Sequence, residues 1–215
     1  DEVKEEELVR FFDQALIKNN LFEMAYLDGT VKEEDAGFLM APVRGIMALW
    51  VVLCGLAANM YFLSDEQNGV LSNIPVSRRW SMAFGWQMVV MLDAGTAFLL
   101  ALRFSGVFTD IGRECLCTFL FLVSTFLFCS ILRLILGKAE LMGFITPLLM
   151  AAMLVFCPVF LRSSGWQPVK ILFPPFYYLN SIHNDLYLYG MLLYIAAAAF
   201  LLAIIKSCKP RRHFV

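Results

Sequence analysis

The run "CLCTFLFLVSTFLFCSIL", residues Cys115–Leu132, has no charged side chain among its 18 residues and contains four Phe and five Leu. A helix needs about 20 mainly apolar residues to cross the hydrocarbon core of a bilayer. Lipid offers no hydrogen bonds to a polypeptide backbone, so a crossing segment has to satisfy its own, as a helix does. The run therefore predicts a transmembrane helix.

Four further segments have the same character, namely Ile46–Leu63, Met82–Leu102, Leu141–Leu161 and Leu186–Ile205. The chain has 215 residues, of which 60% are hydrophobic and 16% are charged, and its sequence contains 20 Phe. Soluble domains are closer to half apolar and about a quarter charged. We therefore predict an all-α, polytopic membrane helix bundle with five transmembrane helices, spanning residues 43–206.

The N-terminal residues 1–42 differ from the rest, because they carry 11 acidic and 4 basic side chains. Between Glu5 and Leu27 the apolar residues recur at near-helical spacing, which predicts an amphipathic helix. A helix that binds a membrane surface usually has a basic polar face, and this one is acidic. The pattern favours an acidic extracytoplasmic arm that packs on protein rather than on lipid.

Orientation is predicted from the Lys and Arg residues near the ends of the spans. The side that holds the loop 64–81 and the tail has eight of them, and the other side has five. We expect a plasma-membrane protein with the arm outside and the basic tail, residues 207–215, in the cytoplasm. The tail is interpreted as an anchor to anionic lipid and not as a nucleic-acid site.

Asp93 is the one acidic residue in the middle of a predicted span. Carboxylates inside a membrane are costly, so they usually face the bundle interior and have a partner. The favoured interpretation is a packing residue that hydrogen-bonds to a Ser, a Thr or the backbone. The alternative is a site for a proton or a cation in an ion-coupled secondary transporter.

The stretch His183-Asn184-Asp185 predicts a helix start, with Asn184 or Asp185 as the N-cap. Three adjacent residues cannot converge on one metal ion from a regular helix, so no metal site is expected. No nucleophile set of Ser, His and Asp lies within the spans, so no catalytic site is expected either. The segment from Pro158 to Ile182 fits either a partly re-entrant segment or an interfacial aromatic belt.

The polar loop "SDEQNGVLSNIPVSRRW", Ser64–Trp80, joins the first two predicted spans. Gly69 suits a turn after the first helix. Pro75 interrupts the chain again, and Ser77 is a candidate N-cap for the second helix. Arg78 and Arg79 suit the lipid headgroup region beside Trp80.

This loop resembles the segment between the second and third membrane helices of ABC-2 type permeases, which reads approximately E-x-x-x-G-x-L-x-x-L-x-x-x-P-x-S-R. The matching residues here are Glu66, Gly69, Leu71, Pro75, Ser77 and Arg78. The outer loop "KILFPPFYYLNSIHN", residues 170–184, is similar to the stretch before the family's last span, through Pro174, Pro175, Tyr177 and Tyr178. The order of spans matches if the family's first helix lies upstream of Asp1.

The resemblance implies the permease part of an ABC-2-like exporter, in which two membrane halves each sit on a cytosolic ATPase subunit. The chain has no G-x-x-x-x-G-K-[ST] phosphate loop, so ATP and Mg²⁺ are expected on that partner and not here. The loop is then expected to dock on the ATPase, with a cysteine at position 71 or 74 within crosslinking reach. The alternatives are the ion-coupled carrier that uses Asp93 and a non-transporting sensor or assembly protein.

Overall fold

The computed structural model of the chain describes residues 40–106, 110–157, 167–182 and 184–208. The predicted arm helix Glu5–Leu27 and the basic residues 209–212 lie outside these ranges. The described part is helical, with α1 Met40–Gln67, α2 Val76–Phe104, α3 Ile111–Leu136, α4 Ala139–Phe156, α5 Gln167–Lys170, α6 Pro174–Ser181 and α7 Asp185–Cys208.

Five of these helices, α1, α2, α3, α4 and α7, are long and apolar enough to cross a membrane. The prediction of an all-α bundle with five transmembrane helices is therefore confirmed. One predicted end is wrong, because α4 stops at Phe156 and not at Leu161. Cys157 is extended, with ψ 147°, since the following Pro158 disfavours the helical conformation in the residue before it.

Contacts between helix ends show that the spans alternate in direction. Glu114, at the start of α3, bonds to Arg44, at the start of α1. Arg113 beside it bonds to Asp185, at the start of α7. We call this the Glu114 end. At the opposite end, the Glu66 end, Lys206 near the end of α7 lies over Trp80 near the start of α2.

The core lies where α1, α2, α3, α6 and α7 meet, and its fully buried side chains include Val52, Phe98, Phe121, Tyr178 and Met191. Close approach of the helices depends on small residues. A Cβ at Gly95 of α2 would collide with a Leu122 methyl carbon of α3. At Gly55 of α1 it would lie 3.0 Å from sulfur atoms of Met91 and Cys129. The close approach of α1, α2 and α3 therefore depends on these two glycines.

The short helix α6 folds inward against α1, α3 and α7. Its residues Pro174, Pro175, Phe176 and Tyr178 are buried, as is Phe173 before it. Aromatic residues in an interfacial belt would face outward at the membrane surface. Phe173, Phe176 and Tyr178 therefore do not form an outward-facing belt. The re-entrant alternative stays a prediction, and residues 158–166 lie outside the described ranges.

Candidate functional site

The connection between α1 and α2, residues 68–75, is a compact turn, and we call it the 68–75 loop. Gly69 has φ 76°, a backbone conformation that glycine adopts without the steric cost of a Cβ. Val70 N donates to Asp65 O at 3.0 Å, Ser72 N to Gly69 O at 3.0 Å, and Ile74 N to Leu71 O at 3.0 Å. Hydrogen bonds between backbone groups of the loop and of the end of α1 thus close its turns.

Leu71 fixes the loop to the bundle. Its side chain is 5% exposed and packs with Phe62 of α1 and Ala83 of α2, with Ile74 alongside. Arg133 of α3 lies over the Phe62 ring at 5.6 Å. The loop therefore shares a small apolar cluster with the helices that it joins.

Arg79 ties the same loop from its polar side. Its Nε donates to Ile74 O at 2.9 Å, and its Nη2 donates to Ser72 O at 3.4 Å. Its Nη1 lies 4.0 Å from Glu66 Oε1. The sequence indicated Arg79 only as a headgroup anchor. Consecutive residues of a helix point in directions about 100° apart. The pair Arg78-Arg79 at a helix start therefore indicated that one of the two arginines turns back to the loop.

The other residues assigned to the loop have different positions. Glu66 and Arg78 are exposed, and Pro75 occupies the N-cap position of α2. The helix begins at Val76, so the prediction that Ser77 is the N-cap is wrong. Ser77 lies in the first turn instead, and the cap makes no side-chain hydrogen bond. A proline at the cap presets the backbone angle that leads into the helix but supplies no side-chain acceptor.

Val70 is the exposed large aliphatic residue of the 68–75 loop, with 65% of its surface accessible, and Pro75 is exposed as well. Its neighbours Asn68, Gly69, Ser72 and Asn73 are exposed as well. Leu71, one of the two expected crosslinking positions, turns its side chain into the bundle and is less accessible than Val70. The crosslinking itself stays a prediction. Ile74 is half-buried, and Val70 is the residue that a docked partner would meet.

A series of ring contacts leads from this loop to the core. The Trp80 and Phe84 rings stack with centroids 5.3 Å apart, and Phe84 meets Phe126 of α3 edge-on at 4.3 Å. Lys206 of α7 places its Nζ 3.7 Å from the Trp80 centroid. The start of α2 is thus in contact with both α3 and α7.

At the Glu114 end, Arg113 bonds to Asp185 Oδ1 at 2.7 Å and to Ser181 O at 3.0 Å. Asn184 Oδ1 accepts from Leu186 N at 2.9 Å, which confirms Asn184 as the N-cap of α7. These contacts fix α6 and the start of α7 to α3. The sequence did not reveal them, because the partners are about 70 residues apart.

Two of the outer-loop residues differ in their surroundings. Tyr178 is fully buried and packs on Phe98 and Phe121, with centroids 5.5 Å and 4.9 Å away. Burial raises the pKa of its hydroxyl, so the group stays neutral at physiological pH. Tyr177 is half-buried and contacts Tyr194 of α7 at 5.4 Å. Both residues connect α6 to the bundle.

Asp93 lies within the α2 span, as expected, but its side chain is exposed and does not face the bundle interior. In this respect the prediction is wrong. The residues of α2 that enter the core, such as Met91 and Phe98, occupy the opposite side of the helix. Helical spacing places Asp93 about 150° away from that side.

Within the described residues no group of three His, Cys, Asp or Glu side chains is positioned to hold a metal ion. Comparison with known protein families, with curated proteins and with solved structures found no match to this chain. The class that fold and site define is a multi-pass membrane protein with a structured loop at one end.

Proposed function

We propose that this chain is the membrane-spanning permease part of an ABC-2-like exporter in a plasma membrane. A separate cytosolic ATPase would dock on the 68–75 loop, and a second permease half would complete the pathway. The proposal rests on how the 68–75 loop is held and on which of its side chains is exposed. One apolar side chain, Val70, is presented outward, while Leu71 and Arg79 hold the loop to the bundle.

A loop that transmits force has to be stiff and joined to the elements that it moves. The 68–75 loop meets both requirements, through its own backbone bonds and through the cluster of Leu71, Phe62 and Ala83. The contacts of Trp80 with Phe84 and Lys206 give a displacement of the loop a route to α3 and α7. Rigid-body switching uses such packed connections, because packed interfaces move between discrete arrangements.

Crosslinking tests the docking. In a cysteine-free background, we expect Val70→Cys to crosslink to a partner that contains a phosphate loop, in a nucleotide-dependent way. Leu71→Cys is the matched control and should crosslink far less, because its side chain is buried. The captured chain is identified by mass spectrometry. If no phosphate-loop ATPase is captured at position 70, the exporter assignment is wrong.

Backbone strain tests the coupling. Gly69→Val forces a β-branched residue into φ 76°, so it should distort the loop and abolish the effect of this chain on the partner's ATP hydrolysis. Gly106 has φ 70° and open space around it, and it lies beyond the far end of α2. Gly106→Val therefore imposes a similar strain elsewhere and should leave the coupling intact. Equal effects of the two substitutions would contradict a specific role for the loop.

The ion-coupled carrier that uses Asp93 is the second candidate. Asp93 lies on an exposed side of α2, so an ion site that uses it would need groups from outside the described bundle. Transport that depends on an ion gradient and requires no ATPase would favour this candidate over the exporter.

A further inference from the structure

Asp93 lies near the middle of its span in the membrane. The span runs from Arg78 to Phe104, so Asp93 is 15 residues from one end and 11 from the other. At the rise of an α-helix these separations are about 22 Å and about 16 Å. The hydrocarbon core is about 30 Å thick. The carboxyl group is therefore too deep to reach the headgroups at either surface.

The carboxyl group has no hydrogen bond or ion pair with any residue in the described ranges. The Thr96 hydroxyl is close by, but it donates to the Asp93 backbone carbonyl oxygen at 2.8 Å and not to the side chain. The Cys54 thiol of α1 is near enough to interact with Asp93 electrostatically. A thiol is a weak donor and does not compensate an ionised carboxylate.

The other helices at the edge of the bundle show what a lipid-facing surface looks like in this chain. Only 11% of the most apolar 18-residue window of α4 and of α7 is buried. The exposed charged side chains of these spans, Glu140, Asp185 and Lys206, lie near the helix ends, and large apolar side chains such as Leu148 and Leu193 are exposed between them. Lipid is a sufficient environment for these helices. The exposed face of α2 includes Val89 and Leu100 but also carries Asp93. An ionised group at this depth is costly and usually faces protein or water.

The charge of the missing partner follows from the distribution of basic residues. Within the described ranges every Lys and Arg of the spans and loops lies at or near a span end, and none is at mid-span: Arg44, Arg78, Arg79, Arg103, Arg113, Arg133, Lys138, Lys170 and Lys206. A second copy that packed α2 against α2 about a two-fold axis would bring Asp93 to Asp93 at equal depth. Two like charges repel there, so self-pairing through this face is unfavourable.

We propose that the exposed face of α2 around Asp93 docks a transmembrane helix of a different chain, one that carries a Lys or Arg at the depth of Asp93. The described bundle leaves this face uncovered, since Gly85, two turns before Asp93, is exposed and a Cβ placed on it meets nothing within 4 Å. An ion pair at mid-membrane then replaces an isolated charge. The inference rests on the placement of Asp93 in the span and not on transport or on an ATPase.

The test uses the purified full chain in vesicles and a designed probe, a poly-leucine transmembrane helix with one central Lys. Association is measured by energy transfer between labels on the two components. We expect the Lys probe to bind at least about tenfold more tightly than an all-Leu probe. Asp93→Leu should remove that difference, and Asp93→Asn should retain only a small part of it. Asp93→Lys should instead select a probe with a central Asp.

Two controls separate a docking face from a lone charge. Leu193 of α7 is 74% exposed, so Leu193→Asp in the Asp93→Leu background moves the carboxylate to a helix that faces lipid. Gly85→Leu adds a larger side chain to the same face of α2, at a position where a Cβ meets nothing within 4 Å. We expect both variants to keep the thermal stability of the wild type and to bind the Lys probe poorly.

Several results would overturn the proposal. The first is that the Lys probe binds the wild type no more tightly than the all-Leu probe does. The second is that the variant with Leu193→Asp and Asp93→Leu binds the Lys probe as tightly as the wild type does. Loss of self-association in Asp93→Leu would assign the face to a second copy. Labelling of Asp93→Cys in native membranes by a water-soluble maleimide would place the residue in an aqueous pathway.

Discussion

At the scale of single residues, Gln87 is the clearest case of a polar side chain on which packing depends. It is 1% exposed in α2, its amide donates to Phe126 O of α3 at 2.9 Å, and its Oε1 accepts from Ser130 at 2.9 Å. Hydrogen bonds between helices take the place of the hydrophobic driving force that lipid cannot supply. Gln87 therefore fixes the register of α2 on α3.

Replacing Gln87 by Leu should lower the free energy of unfolding in detergent by about 1–2 kcal/mol, since it removes both bonds. Ser130→Ala should cost less, about 0.6 kcal/mol, because the bond to Phe126 survives. The double variant should cost less than the two single changes together, as expected for residues that share one bond. Strict additivity in these unfolding measurements would contradict the shared bond.

At the scale of helices, two ion pairs at the Glu114 end differ in burial. The side chains of Arg44 and Glu114, which join α1 to α3, are 8% and 3% exposed. Those of Arg113 and Asp185, which join α3 to α7, are 40% and 75% exposed. Breaking a buried pair leaves a buried charge, whereas an exposed pair contributes little. The end of the bundle is thus fixed mainly by the Arg44–Glu114 pair.

Arg44→Leu should therefore destabilise the protein by about 3–5 kcal/mol, because Glu114 loses its buried cation. Asp185→Asn is the matched exposed change, retains the Asn184 cap, and should cost about 1 kcal/mol or less. Removing both partners, as Arg44→Leu with Glu114→Leu, should recover much of the loss. Thermal unfolding of the three variants measures the order, and a similar cost for Arg44→Leu and Asp185→Asn would show that burial is not the cause.

At the scale of the whole molecule, the alternating spans put the 68–75 loop and Lys206 at one end and Glu114 with Asp185 at the other. The distribution of Lys and Arg predicts that the Glu66 end is cytoplasmic. Asn73 of the 68–75 loop and Ser105 beyond α2 are both exposed and lie at opposite ends of that helix. They are therefore a matched pair of positions for testing orientation.

In a cysteine-free background, an impermeant maleimide should label Ser105→Cys in intact cells and Asn73→Cys only after the membrane is opened. The physical reason is the cytoplasmic excess of Lys and Arg, which retains the loops on that side. Gel-shift assays of the labelled protein measure the labelling of both positions, before and after the membrane is opened, in one preparation. Labelling of position 73 in intact cells would reverse the orientation and remove the loop from the compartment that holds ATP.

Much of the fold follows from the sequence because it depends on local, repetitive properties. Four of the five predicted spans lie wholly inside the helices α1, α2, α3 and α7, since lipid permits few alternatives to a helix for an apolar run of that length. The fifth prediction, Leu141–Leu161, was too long, because α4 ends at Phe156. Pro158 restricts the backbone of the residue before it. The Asn184 cap was also predictable, because it depends only on its immediate neighbours.

What only the tertiary structure decided is which side of each helix meets another helix. The apolar spans lack a polar face that would indicate an outward side, so the sequence assigned Asp93 to the interior and Leu71 to a partner. Packing placed Asp93 outward and buried Leu71 against Phe62 and Ala83. The pairs Arg44–Glu114 and Arg113–Asp185 were hidden for a related reason, since residues 70 and 72 positions apart meet only when the helices have packed. Composition determined that five helices of the described residues are long and apolar enough to cross a membrane, and shape complementarity between these helices determined where their charged groups lie.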